Sequence, residues 1–178
     1  MTKRRFYPLL IIALLMGLSL QQVQAASEPS GEFFQQSIGD YAEELEIAKE
    51  EGKKGVLLFF EQKDCPFCHY MKTTILNQPE VQAYFNKHFT SFRVDIEGDV
   101  EISDFNGNTM KMKDFAFKLN RVRATPVIAF YDFEGKRVTR FTGKASGVEE
   151  FMMLGKYVSE GAYKNLRFTK YKRQQKKQ

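Results

Sequence analysis

The sequence predicts an α/β fold, a central mixed β-sheet flanked by helices on both faces. Three observations predict it. Segments with helical spacing alternate with short strand-like runs, in the order α–β–α–β–α–β–β–α. Gly55-Val-Leu-Leu-Phe-Phe60 is a continuous apolar run between turn signals, the pattern of a strand covered on both faces. The last two strands are joined only by Asp132-Phe-Glu-Gly135, so they form a hairpin and bring antiparallel pairing into the sheet.

The first helix opens at Asp40, with Glu43 three residues on in a capping-box-like pattern. Tyr41, Leu45 and Ala48 repeat at helical spacing, and Gly52 ends the run. After the strand at 55–60, a helix is expected from Cys65 to about Leu76, and another from Pro79 to Phe89. Ser91 to Ile96 alternates apolar and polar residues, as a strand does. Gly98 to Asn108 reads as a polar excursion, and Lys111 to Leu119 as a helix. The strands at 125–131 and 136–141 follow. The closing helix, Val148 to Tyr157, carries Phe151 and Leu154 on one face, with Val158 just beyond.

The first 25 residues read as a cleaved secretory signal peptide. Lys3, Arg4 and Arg5 precede an apolar stretch from Leu9 to Leu20, and Val23-Gln24-Ala25 supplies small residues at the cleavage positions. The stretch is short of the roughly 20 residues a membrane span needs. The expected location is therefore periplasmic or otherwise exported, where disulfides persist. Residues 26–39 read as a linker, 40–163 as one domain, and 164–178 as a basic tail. Of 27 basic residues the leader holds three and the tail seven, which leaves 17 in the body against 22 acidic ones, a net of −5. The basic pI thus arises at the ends. The acid-free tail is expected to be a solvated, partly disordered extension. No nucleic-acid motif accompanies it, and a monomer is expected.

The chemistry-bearing motif is Cys65-Pro66-Phe67-Cys68, at the junction of an apolar strand and a helix. A helix N-terminus has unsatisfied N–H groups and a partial positive charge. A thiolate placed there is stabilised and its pKa falls. Pro66 suits the first helical position, where no N–H is needed. Cys65 is expected to be exposed and to attack a partner disulfide, and Cys68 to resolve the mixed disulfide from deeper in the helix. Other chemistries use the same pattern. A structural zinc site wants four Cys or His ligands, and the chain has two of each in total. With His69 the string is C-x-x-C-H, the attachment motif of c-type haem. The strands around it have no role in a small helical cytochrome, so His69 reads as an exposed side chain that tunes the thiols at most. No metal or bound cofactor is expected beyond the Cys65–Cys68 pair itself.

The strand Val56–Phe60, Cys65-Pro-Phe-Cys68, the strand around Val94-Asp95 and Ala124-Thr125-Pro126-Val127 together resemble the thioredoxin superfamily, over roughly Glu44 to Gly161. The resemblance implies a thioredoxin fold, a thiol–disulfide oxidoreductase and protein disulfides as substrates. It also implies a cis Pro126 facing the cysteines and substrate binding by Thr125, Pro126, Pro66 and Phe67. Phe-Phe-Glu-Gln-x-x-Cys-Pro-x-Cys, Gly-Ala-Tyr163 and the leader are similar to exported thioredoxins of bacterial sulfur oxidation, the SoxW type. That narrower likeness implies a reductase recharged by a membrane thiol reductant. The chain departs from the family pattern in three places. The buried acid six residues before the first cysteine is Phe59. The residue before that cysteine is Asp64, not Trp. The inter-cysteine pair is Pro-Phe. Glu61 is the candidate substitute acid. Asp64 beside Cys65 opposes thiolate formation and favours a reductase over an oxidase.

Overall fold

The structure, a computed structural model, describes residues 33–177. The expected signal peptide, residues 1–25, lies outside the described residues.

Helix α1 (Tyr41–Glu50) is capped by Asp40, whose carboxylate accepts the N–H groups of Ala42 and Glu43. The carboxylate that reaches back is not Glu43 but Glu44, which accepts the Ile38 N–H at 2.8 Å. Strand β1 (Val56–Glu61) leads into α2 (Pro66–Tyr70), and the same helix continues as a π turn, Met71–Ile75. Then follow α3 (Pro79–His88) and β2 (Thr90–Asp95). The stretch expected to be an irregular excursion contributes a small ribbon, β3 (Glu101–Ser103) paired with β4 (Thr109–Lys111). Its turn is built on Asp104, whose carboxylate accepts the N–H groups of Asn106 and Asn108. Helix α4 (Met112–Asp114) runs into a second π turn, Phe115–Leu119. Strands β5 (Val127–Tyr131) and β6 (Arg137–Thr142) form the expected hairpin, and α5 (Val148–Ser159) closes the domain.

The main sheet has the order β2-β1-β5-β6. Strand β1 pairs parallel with β2 and antiparallel with β5, so it is central and the sheet is mixed. Alternate residues of β1 enter two cores. Leu57 and Phe59 face α2, α3 and α5, while Val56, Leu58 and Phe60 face α1 and the π turn after α4. Helices therefore cover both faces, as the sequence predicts.

Both ends of the domain extend past their expected limits. Phe33, in the stretch read as linker, is fully buried, with its ring 5.4 Å from that of Phe85. Gln35 then lies along the edge strand β2. Its N–H donates to the Ser91 carbonyl, and its side-chain oxygen accepts the Ser91 N–H. At the other end the tail is not a solvated extension. It forms helix α6 (Phe168–Gln175), with Tyr171 buried against Tyr157 and its hydroxyl donating to Glu160 at 3.0 Å. Two aromatic residues at i, i+3 give an otherwise polar helix the apolar face that holds it down.

Candidate functional site

Strand β1 delivers the chain to Cys65, which is the N-cap residue of α2. Its Sγ accepts the backbone N–H of Cys68 at 3.0 Å. Pro66 occupies the first turn, as expected of a residue without a donor. Cys65 and Cys68 are joined in a disulfide, with their Cα atoms 5.2 Å apart. Cys65 was expected to be exposed, yet in this oxidised form it is only 9 % exposed, against 2 % for Cys68. It belongs to the same buried cluster as Phe59 and Met71. Both residues between the cysteines, Pro66 and Phe67, face solvent, Phe67 at 54 %.

Antiparallel pairing sets the opposite wall. Phe60 pairs with Val127, so residues 61–65 and 124–126 emerge at the same end of the sheet. The Thr125–Pro126 bond is cis, and Pro126 is buried. The Thr125 hydroxyl donates to Gln62 Oε1 at 3.2 Å, linking the two loops directly. In the sequence Gln62 stood only within the Phe-Phe-Glu-Gln string, with no site role; this contact gives it one. A third loop joins them after β6. The Gly143 N–H donates to the Pro126 carbonyl at 2.9 Å, and the Ala145 N–H to Met71 Sδ at 3.3 Å. The Lys144 ammonium sits over the Tyr70 ring, 4.6 Å from its centre.

Phe59, where an acid would lie in the family pattern, is fully buried and belongs to the same apolar cluster as both cysteines. Glu61 lies on that face too, but cations hold both of its oxygens. Lys72 is 2.9 Å from one and Arg93 is 3.9 Å from the other. Glu61, the candidate substitute acid, is thus ion-paired on both oxygens. Asp64 is exposed in the turn just before Cys65. His69 is also exposed, and its N–H donates to the Cys65 carbonyl as part of the helix. Beyond the loop at 143–147, Glu150 accepts the Ser146 N–H on one oxygen and pairs with Lys172 of α6 on the other. Burial pushes this carboxyl up, but those two donors outweigh it and hold it below its ordinary value. Among the described residues no three His, Cys, Asp or Glu side chains converge as metal ligands.

A family model described as a thioredoxin-like domain matches residues 41–159. A thioredoxin-fold protein from Helicobacter pylori superposes with a TM-score of 0.61 at 22% identity, covering 79% of this chain and 88% of that one. An oxidoreductase named DsbH gives 0.55 at 23% identity, with 81% and 94% covered. A thioredoxin from Thermus thermophilus gives 0.52 at 25% identity, with 67% and 83% covered. No curated protein sequence matches. The family match spans most of the chain and takes in both cysteines and the Thr125–Pro126 step, and on that ground the chain belongs to the thioredoxin-like domain family.

Proposed function

We propose that this protein is an exported thiol–disulfide oxidoreductase that reduces disulfides in partner proteins. The observation that carries the reading is the Cys65–Cys68 disulfide at the start of a helix, with the first sulfur taking the Cys68 N–H. That arrangement stabilises a thiolate on Cys65 when the bond is open. The reduced protein would then act in two steps. The Cys65 thiolate attacks one sulfur of the partner disulfide, forms a mixed disulfide and releases a partner thiolate, which takes a proton. Cys68, on losing its proton, attacks Cys65 Sγ, re-forms the bond seen here and releases the second partner thiol. The protein loses two electrons and the partner gains them, so an external thiol reductant must recharge the pair. The likeness to SoxW-type proteins supports a membrane thiol carrier in that role, and the leader supports export. The partner chain would lie against the Thr125 backbone as an added strand, flanked by Pro126, Pro66 and Phe67. The alternative is a c-type haem protein using Cys65-Pro-Phe-Cys68-His69. A Soret band on protein purified from its exported location would favour haem.

The reduction potential of the pair tests the reading. A value near thioredoxin's, about −270 mV, marks a reductant, and one near about −120 mV an oxidant. One neighbour sets a direction. Asp64 places a like charge beside the Cys65 thiolate, so Asp64→Asn should favour the thiolate and raise the potential. Two charges about 6 Å apart in a half-solvated site repel by roughly 1 kcal/mol, and a tenfold change in equilibrium is about 30 mV for this couple. The expected rise is therefore a few tens of millivolts, smaller in high salt. Equilibration of both proteins with glutathione measures it, and a fall in potential would overturn the role given to Asp64.

A further inference from the structure

We propose that α6 and the loop at residues 143–147 form a docking surface for an acidic segment of the oxidised protein substrate, next to the disulfide being reduced. The inference rests on the reductase reading above and names the chemistry of its substrate. Helix α6 lies beyond the matched residues 41–159, so the family pattern does not account for it.

The helix is fixed in place. Phe168 packs 5.3 Å from the Tyr157 ring, Tyr171 is buried, and Lys172 pairs with Glu150. Through Glu150 and the Ser146 N–H, α6 is tied to the loop that contacts Pro126 and Met71. Between α6 and the first turns of α5 runs a groove of about 450 Å3. Its floor is Ser146, Gly147 and Met153, and its α6 wall carries Arg173 and Lys176. Glu149 and Glu150 also line it, but Glu150 is already neutralised by Lys172. With Lys172 answering Glu150, Arg173 and Lys176 face one uncommitted carboxylate in the groove, Glu149, and Lys170 adds a further exposed cation on α6.

Charge complementarity points to an acidic occupant, and shape points to an extended chain rather than a bilayer. The surface is a groove, not a plane. The aromatic side chains of α6 are spent inward, and none of the exposed large apolar residues lies on α6, so it offers no anchor for insertion into lipid. A substrate whose reactive cysteine sits a few residues from Asp and Glu would place its disulfide at Cys65 and its acids along α6.

Two cyclic disulfide peptides test this, identical except that one carries Asp and Glu on one flank and the other Asn and Gln. With the reduced protein at low ionic strength, KM for the acidic peptide should be roughly three- to tenfold lower. In the Lys170→Ser, Arg173→Ser, Lys176→Ser triple variant the ratio of the two KM values should fall to about one, and high salt should do the same to the parent. That variant keeps Phe168, Tyr171 and Lys172, and an unchanged thermal midpoint checks that α6 stays folded. Equal KM values in the parent, or a preference that survives in the triple variant, would overturn the proposal. So would binding to phosphatidylglycerol vesicles with no peptide preference, which would make α6 a lipid surface. The acidic peptide with its cysteines replaced by serine separates this from the function itself. If it shifts the amide resonances of residues 146, 147, 173 and 176 while neither peptide is reduced, the docking surface stands and the reductase reading falls.

Discussion

Cys65→Ser should abolish reduction of protein disulfides, and Cys68→Ser should leave the enzyme covalently attached to its substrate. A serine hydroxyl stays protonated near neutral pH and does not attack sulfur, so the loss in the Cys65 variant should be on the order of a thousandfold or more. The asymmetry between the two variants follows from position. Cys65 caps α2 and is the more exposed residue, while Cys68 lies within the first turn at 2 % exposure. A partner can reach the first and not the second. With Cys65 intact and Cys68 gone, the first exchange still proceeds, and nothing within the protein is left to break the mixed disulfide. Mass spectrometry of each variant after incubation with an oxidised substrate, without added thiol, reads the adduct. Equal loss of activity with no adduct on Cys68→Ser would overturn the assignment of attacking and resolving sulfurs.

Phe85→Ala should cost about 3–5 kcal/mol of folding stability. Phe85 of α3 is fully buried and stacks on Phe151 of α5 at 4.4 Å, with Phe33 at 5.4 Å and Phe89 at 5.8 Å. Its removal opens a cavity among rings that three separate segments hold in place. Gly155 of α5 faces the same ring, and a Cβ there would lie 2.7 Å from Phe85 Cζ. Gly155→Ala, which in an exposed helix stabilises by about 1 kcal/mol, should here destabilise by roughly 1–3 kcal/mol through overpacking. In the Phe85→Ala background the sign should reverse, because the methyl enters vacated space. The recovery is partial, since Tyr84 Cε1 still stands 3.1 Å away. Urea unfolding midpoints of the parent, both single variants and the double variant measure the cycle. A double variant less stable than Phe85→Ala alone would show that Phe85 does not set the crowding at Gly155.

Long runs with a clear period were legible in the sequence. Strand β1 has five fully buried residues in succession, and α5 buries Phe151, Leu154 and Val158 as its spacing required. The cysteine pair was legible because its chemistry and its strand-to-helix context agree. What was missed depends on distant contacts. Strands β3 and β4 are three residues each, too short to show a period. Helix α6 is held by Phe168, Tyr171 and a single ion pair, which composition hides among seven basic residues. Phe33 and Phe34 are one short aromatic pair in a polar stretch. Glu61 was read as the candidate substitute acid, and the sequence does not show that Lys72 and Arg93 would pair with it. In each case the deciding partner lies far along the chain.

The strip of chain beside β2 defines what can be moved or trimmed. Strand β2 has one neighbour within the sheet, and its other side is closed by Gln35 through the Ser91 backbone. A fragment cut to the matched domain, residues 41–159, would lose that closure together with Phe33 and Tyr171 from the core. Its bare strand would then offer hydrogen-bonding groups to any second copy, the usual route to edge-to-edge association. A portable unit therefore has to keep Phe33, Gln35 and helix α6 beside the matched domain, and recombinant work that respects homology boundaries alone would be expected to yield aggregates rather than enzyme.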